Sequence, residues 1–112
     1  MIIRSYKTET PWENPHKVDV RQLYNDPSAQ VNHITLQPGE SLKPHKTPVD
    51  VVFYVLEGTP MVHIGEESLA VGADHLVESP ASIVHYLSNP GSVPARILVI
   101  KAPRPELATR VL

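Results

Sequence analysis

The chain has 112 residues, with 10 Lys and Arg against 12 Asp and Glu, a net charge of −2 and no cysteine. That length suits one domain with one core. The charge balance offers no basic surface for nucleic acid, and the lack of cysteine excludes disulfides, thiolate nucleophiles and thiolate metal sites. No apolar run is long enough to cross a bilayer, and Met1 to Tyr6 lacks a signal-peptide pattern. The expectation is a soluble cytoplasmic protein, in which any metal would take imidazole and oxygen ligands.

Twelve prolines and five glycines break the chain at short intervals, which leaves no room for long helices. In chain order, Ile2 to Tyr6 is expected as a first strand, forming an N-terminal arm. Pro11 to Pro15 is a turn-rich loop holding the single tryptophan, Trp12. Val18 to Tyr24 alternates as a half-buried strand does, and Asn25-Asp26-Pro27 turns the chain. Gln30 to Gln37 alternates again, with Val31, His33 and Thr35 on one face and Asn32, Ile34 and Leu36 on the other. Val51 to Leu56 is apolar without alternation, as expected of a strand buried on both faces, and Gly58 closes it.

Met61 to Ile64 and Ser68 to Val71, joined by Gly65-Glu66-Glu67, form a hairpin. His75 to Glu78, Ile83 to Leu87 and Arg96 to Lys101 are further strands. The tail from Ala102 carries Pro103 and Pro105 and ends in a loose stretch or short helix over Glu106 to Leu112. About eight or nine short strands fit an all-β jelly-roll barrel, which leaves few exposed sheet edges. Residues 1–28 are then an arm and first strands packing on the barrel, 29–102 the barrel, and 103–112 a tail.

Two histidines carry most of the chemical promise. His45 follows Gly39 by five residues and precedes Glu57-Gly58. His85 lies between Gly72, Pro80 and Asn89. These frames resemble the two motifs of the cupin superfamily, G-x5-H-x-H-x3,4-E-x6-G and G-x5-P-x-G-x2-H-x3-N. Gly39, His45 and Gly58 match the first. Gly72, Pro80, His85 and Asn89 match the second, with a longer first gap and with Ser82 at a glycine position. The resemblance covers roughly Val31 to Lys101 and implies a double-stranded β-helix of six or more strands. It implies no single function, because such barrels serve as enzymes, storage proteins and sensors.

In metal-binding cupins the ion is held by two histidines and an acid of the first motif and the histidine of the second. Carried onto this chain, His45 and His85 are ligands, but Thr47 replaces the second histidine and Val51 the acid. Two protein ligands are too few for a catalytic metal. Asp50, one residue before the acid position, and His33, on the alternating strand, are candidates to complete the set. For Asp50 the competing reading is a turn cap, and for His33 a strand face outside the pocket. A site of His33, His45, Asp50 and His85 would suit one divalent transition metal: Zn, Fe, Mn or Ni.

Three functions follow as expectations. One is a metal-dependent cupin enzyme acting on a small molecule in a pocket lined by Val51 and Phe53. Another is metal-free acid–base catalysis of the isomerase or epimerase kind, with His45 or His85 as base and Asp50 orienting the ring. The third is a ligand-binding or sensor module. The expected partners are a small-molecule ligand and a second copy of the chain, with Ile2 to Tyr6 adding to the partner's sheet edge in a homodimer. Thr47 is read as a ligand contact or a loop end. His16, His63 and His75 are read as exposed, and Tyr86 as pointing away from the pocket.

Overall fold

A computed structural model describes residues 1–106 and 110–112. Its strands, in chain order, are β1 (Asp19–Asp26), β2 (Ala29–Leu36), β3 (His45–Lys46), β4 (Val51–Glu57), β5 (Met61–Ile64), β6 (Glu67–Ala70), β7 (Leu76–Ser79), β8 (His85–Ser88), β9 (Ala95–Lys101) and β10 (Arg110–Val111). They form two antiparallel sheets, ordered β1-β2-β9-β4-β7 and β10-β3-β8-β5-β6. This is the expected all-β jelly roll.

The core lies between the sheets and follows from alternation. Ile34 and Leu36 of β2, Val51 and Phe53 of β4, and Ile97 and Val99 of β9 are all buried there. In β4 the intervening Val52, Tyr54 and Leu56 are only half-buried. That strand therefore has one core face and one partly covered face, rather than the two buried faces its unbroken apolar run suggested. Side-chain period decides burial here, and the outer apolar residues are covered only in part.

His33 belongs to the outer face of β2, because Ile34 and Leu36 occupy the inner one. It is nonetheless buried, since the N-terminal segment lies over it. The Tyr6 ring stacks on His33 at 4.2 Å between centroids. The Arg96 guanidinium lies 4.2 Å from the same Tyr6 ring and donates to His33 Nε2 at 3.1 Å. Arg21 holds the segment's backbone by donating to the carbonyls of Tyr6 (2.7 Å) and Glu9 (3.2 Å). Ile2 to Tyr6 is thus an arm docked through Tyr6, and it is not the expected strand; Met1, Ile2 and Ile3 are exposed.

The tail also departs from expectation. Arg110 and Val111 pair with Lys46 and His45 and extend the second sheet beyond β3, so a short strand replaces the loose or helical ending there. Residues 107–109 of that expectation lie outside the described residues.

Several motif residues meet specific backbone demands. A Cβ on Gly58 (φ +78°) would fall 2.6 Å from the Pro94 carbonyl oxygen. Asn89 is buried, donates to the Leu36 and Val93 carbonyls and accepts from Gly91 N–H, tying three loops together. Ser82, at a glycine position of the second motif, holds φ +62° and donates its N–H to the Thr47 carbonyl. Gly39 has a similar φ of +86° but open space around it. Gly39→Ala should therefore cost only the left-handed backbone penalty, about 1–2 kcal/mol. Gly58→Ala adds a backbone clash and should cost at least about twice as much. Urea unfolding of the two variants checks the order, which equal losses would contradict.

Candidate functional site

His45 and His85 are directly opposed across β3 and β8. Opposed residues in an antiparallel pair project to the same face, and these two rings meet edge to face at 4.6 Å. Phe53 packs against His85 from the facing sheet at 5.3 Å. A third imidazole, His16, comes from the loop before β1 and lies 4.9 Å from His45. The three rings share one cavity of about 240 Å³. Its walls are apolar through Val20, Ile34, Leu42, Val51 and Val99, and Gln30, Asn32 and Lys101 add polar groups. A larger hollow of about 780 Å³ at Pro27, Pro48 and Pro103 lies elsewhere and holds no histidine.

The hydrogen bonds of these rings assign their protons. His45 Nδ1 lies 2.7 Å from the Lys43 carbonyl oxygen. A carbonyl only accepts, so Nδ1 carries the proton and Nε2 the lone pair. His16 Nδ1 accepts the Lys43 N–H at 2.8 Å, so its proton is on Nε2. The backbone of one residue thus fixes two neighbouring imidazoles in opposite tautomers. His16 is aimed by a local turn in which Asn14 Oδ1 accepts the His16 N–H and Asn14 Nδ2 donates to the Val18 carbonyl.

His85 has both nitrogens engaged. Ser79 Oγ lies 2.6 Å from Nδ1 and Thr47 Oγ1 3.2 Å from Nε2. Burial, with His45 and Lys101 nearby, pushes His85 down to about 4. Burial and the neighbouring His45, Lys43 and Lys101 push His16 down to about 4 as well. His45 is lowered by burial and Lys101, partly opposed by its bond to Lys43. All three are neutral at neutral pH.

The two residues proposed from sequence to complete a metal site are not in this cavity. His33 is on the outer face of β2, under Tyr6, and its Nε2 lone pair is taken by Arg96. Asp50 is exposed and accepts the Ala81 N–H at 2.8 Å, the turn-cap role. The metal that the cupin motifs imply does not fit the donors present. His16 presents N–H rather than a lone pair, and His85 Nε2 is engaged by Thr47. Among the described residues no three His, Cys, Asp or Glu side chains group as a metal site.

Other expectations divide. His75 is exposed, and Tyr86 turns outward to stack on His63 at 3.9 Å. That stacking leaves His63 half-buried rather than exposed. His16, expected at the surface, is instead part of the cluster; its signal is the Asn14-Pro15 turn, which periodicity does not weigh. Lys101 escapes sequence reading as well, although its alternation with Ile97 and Val99 places it on the inner face.

The depressed histidines make stability depend on pH. His16, His33 and His85 are each held to about 4 against 6.5 in the unfolded chain, His33 by burial and then Arg96. The unfolded chain binds protons first as pH falls, so the stability they give is present above pH 6.5 and is lost on the way down to about 4. The melting temperature should fall across that interval; a flat profile there would contradict these assignments.

The Cupin domain family profile matches residues 32–101. Tetracenomycin polyketide synthase protein TcmJ of Streptomyces glaucescens is 36% identical over 84 residues, covering 71% of this chain and 56% of that protein. Xanthan biosynthesis protein XanB of Xanthomonas campestris is 30% identical over 98 residues, covering 86% of this chain but 20% of that protein. The chain therefore spans little more than half of the first relative and a fifth of the second. A solved structure from Thermus thermophilus superposes with a TM-score of 0.80 at 31% identity, over 94% of this chain and all of that one. The polyketide cyclase RemF of Streptomyces resistomycificus superposes at 0.85 with 17% identity, over 100% of this chain and 85% of that one, which is a likeness of fold alone. With the family profile over residues 32–101 and a relative 36% identical over 71% of its length, the chain belongs to the cupin family.

Proposed function

We propose that this cupin binds a small organic molecule at the histidine end of its cavity and moves a proton on it without a resident metal. The observation that carries the reading is the pair of opposite tautomers set by Lys43. His45 Nε2 offers a lone pair and accepts a proton from the bound molecule. His16 Nε2–H donates to an oxygen of that molecule, where negative charge grows as the proton leaves. His85, braced by Ser79 and Thr47, is a positioning residue that packs against His45. Phe53 and Val51 exclude water from the exchange and strengthen these polar contacts.

Substrate chemistry is narrowed by base strength and size. A histidine whose basicity is lowered by burial suits an acidic C–H, such as one flanked by two carbonyls, better than a simple alcohol. The cavity, at about 240 Å³, is smaller than the roughly 300–1,000 Å³ typical of sites for drug-sized ligands. That favours a compact ketone or dicarbonyl over a nucleotide sugar. One similar protein carries a polyketide function in its name, and polyketide chains contain such carbon acids, which supports the same class.

Hydrogen–deuterium exchange of the central CH₂ of acetylacetone, followed by NMR, tests the proposal. The protein should accelerate exchange, His45→Gln should lower the enzymic rate by about 100-fold, and prior treatment with EDTA should leave it unchanged. No acceleration, an unaffected His45→Gln variant or loss of the rate with EDTA would each overturn it.

A further inference from the structure

Lys101 ends β9 and faces the cavity, on the same side of the strand as Ile97 and Val99. Its charge acts on His16, His45 and His85 alike, lowering each. None of the residues lining that cavity is an Asp or a Glu. Among the described residues the ion pairs are Arg21 with Asp19 and Arg96 with Glu57, and neither involves Lys101. Asp50, next to Val51 that pairs with Lys101 across β4 and β9, accepts the Ala81 N–H instead. Burial pulls the Lys101 ammonium below the ordinary lysine range. An ammonium placed against apolar walls with no counterion is costly, and packing alone would be served better by Met or Leu.

We infer that the cavity takes a small organic anion, a monocarboxylate, whose charge is met by Lys101 while its body lies along Val51, Phe53 and Val99. This deepens the proton-transfer reading by naming a ligand class, and it rests on that reading only for the location of the site. The single cation argues for one negative charge. The apolar walls argue for an organic body rather than an inorganic ion. His16 Nε2–H adds a second donor in the same cavity, and charge-assisted hydrogen bonds of the Lys101 kind are about twice as strong as neutral ones.

Calorimetric titration with benzoate, 4-hydroxybenzoate and acetoacetate, each against its neutral amide, tests the inference. At least one acid should bind about tenfold more tightly than its amide. Lys101→Met should abolish that preference while leaving amide binding unchanged, and Lys101→Arg should retain part of it. Equal binding of acids and amides would show that Lys101 only extends its head to solvent, and would overturn the inference. So would a preference that survives in Lys101→Met, or the absence of binding by all three acids at millimolar concentration. The His45→Gln variant separates the two proposals, because it should keep the acid preference even though proton exchange is lost. If exchange proves independent of His45 while the preference remains, the anion site stands and the catalytic reading falls.

Discussion

A neutral imidazole has one N–H and one lone pair, so whichever nitrogen the backbone engages decides what the other can do. Lys43 engages two rings at once, its carbonyl accepting from His45 Nδ1–H and its N–H donating to His16 Nδ1. The proton-transfer reading of the cavity depends on that arrangement. The arrangement turns two similar side chains, with ring centroids 4.9 Å apart, into a proton acceptor and a hydrogen-bond donor. Burial keeps both neutral, so that neither role is lost to protonation near neutral pH.

The fold supplies the constraint from both sides. Pairing of β3 with β8 sets His45 against His85, and β10 covers the other edge of β3. The facing sheet contributes Phe53 and Lys101 through strict alternation along β4 and β9. The loop before β1 closes the cavity with His16, fixed by the Asn14 turn. Thr47 occupies the place where a metal-binding cupin has its second histidine, and its hydroxyl engages His85 instead.

Much of the fold was legible in the sequence because strands leave local signals. Alternation located β1 and β2, an apolar run located β9, glycine and proline marked strand ends, and the frames around His45 and His85 identified the barrel. Gly58 and Asn89 were legible as motif positions, although the contacts that require them, with Pro94 and Leu36, are long-range. The site was less legible, since its members meet only through tertiary contacts. His33 alternates correctly, yet which face of β2 is inner depends on β9 and on the segment that carries Tyr6. Asp50 had a local use at Ala81 that competed with any ligand role. His16 lies in a loop without periodicity, so only the folded chain brings it to His45.

Long-range ¹H–¹⁵N correlation spectra of imidazole-labelled protein at neutral pH report the tautomers of His16 and His45 directly. His45 should be protonated at Nδ1 and His16 at Nε2, both neutral, with His45→Gln and His16→Gln variants assigning the signals. The same tautomer at both rings, or a charged imidazolium at either, would contradict this assignment.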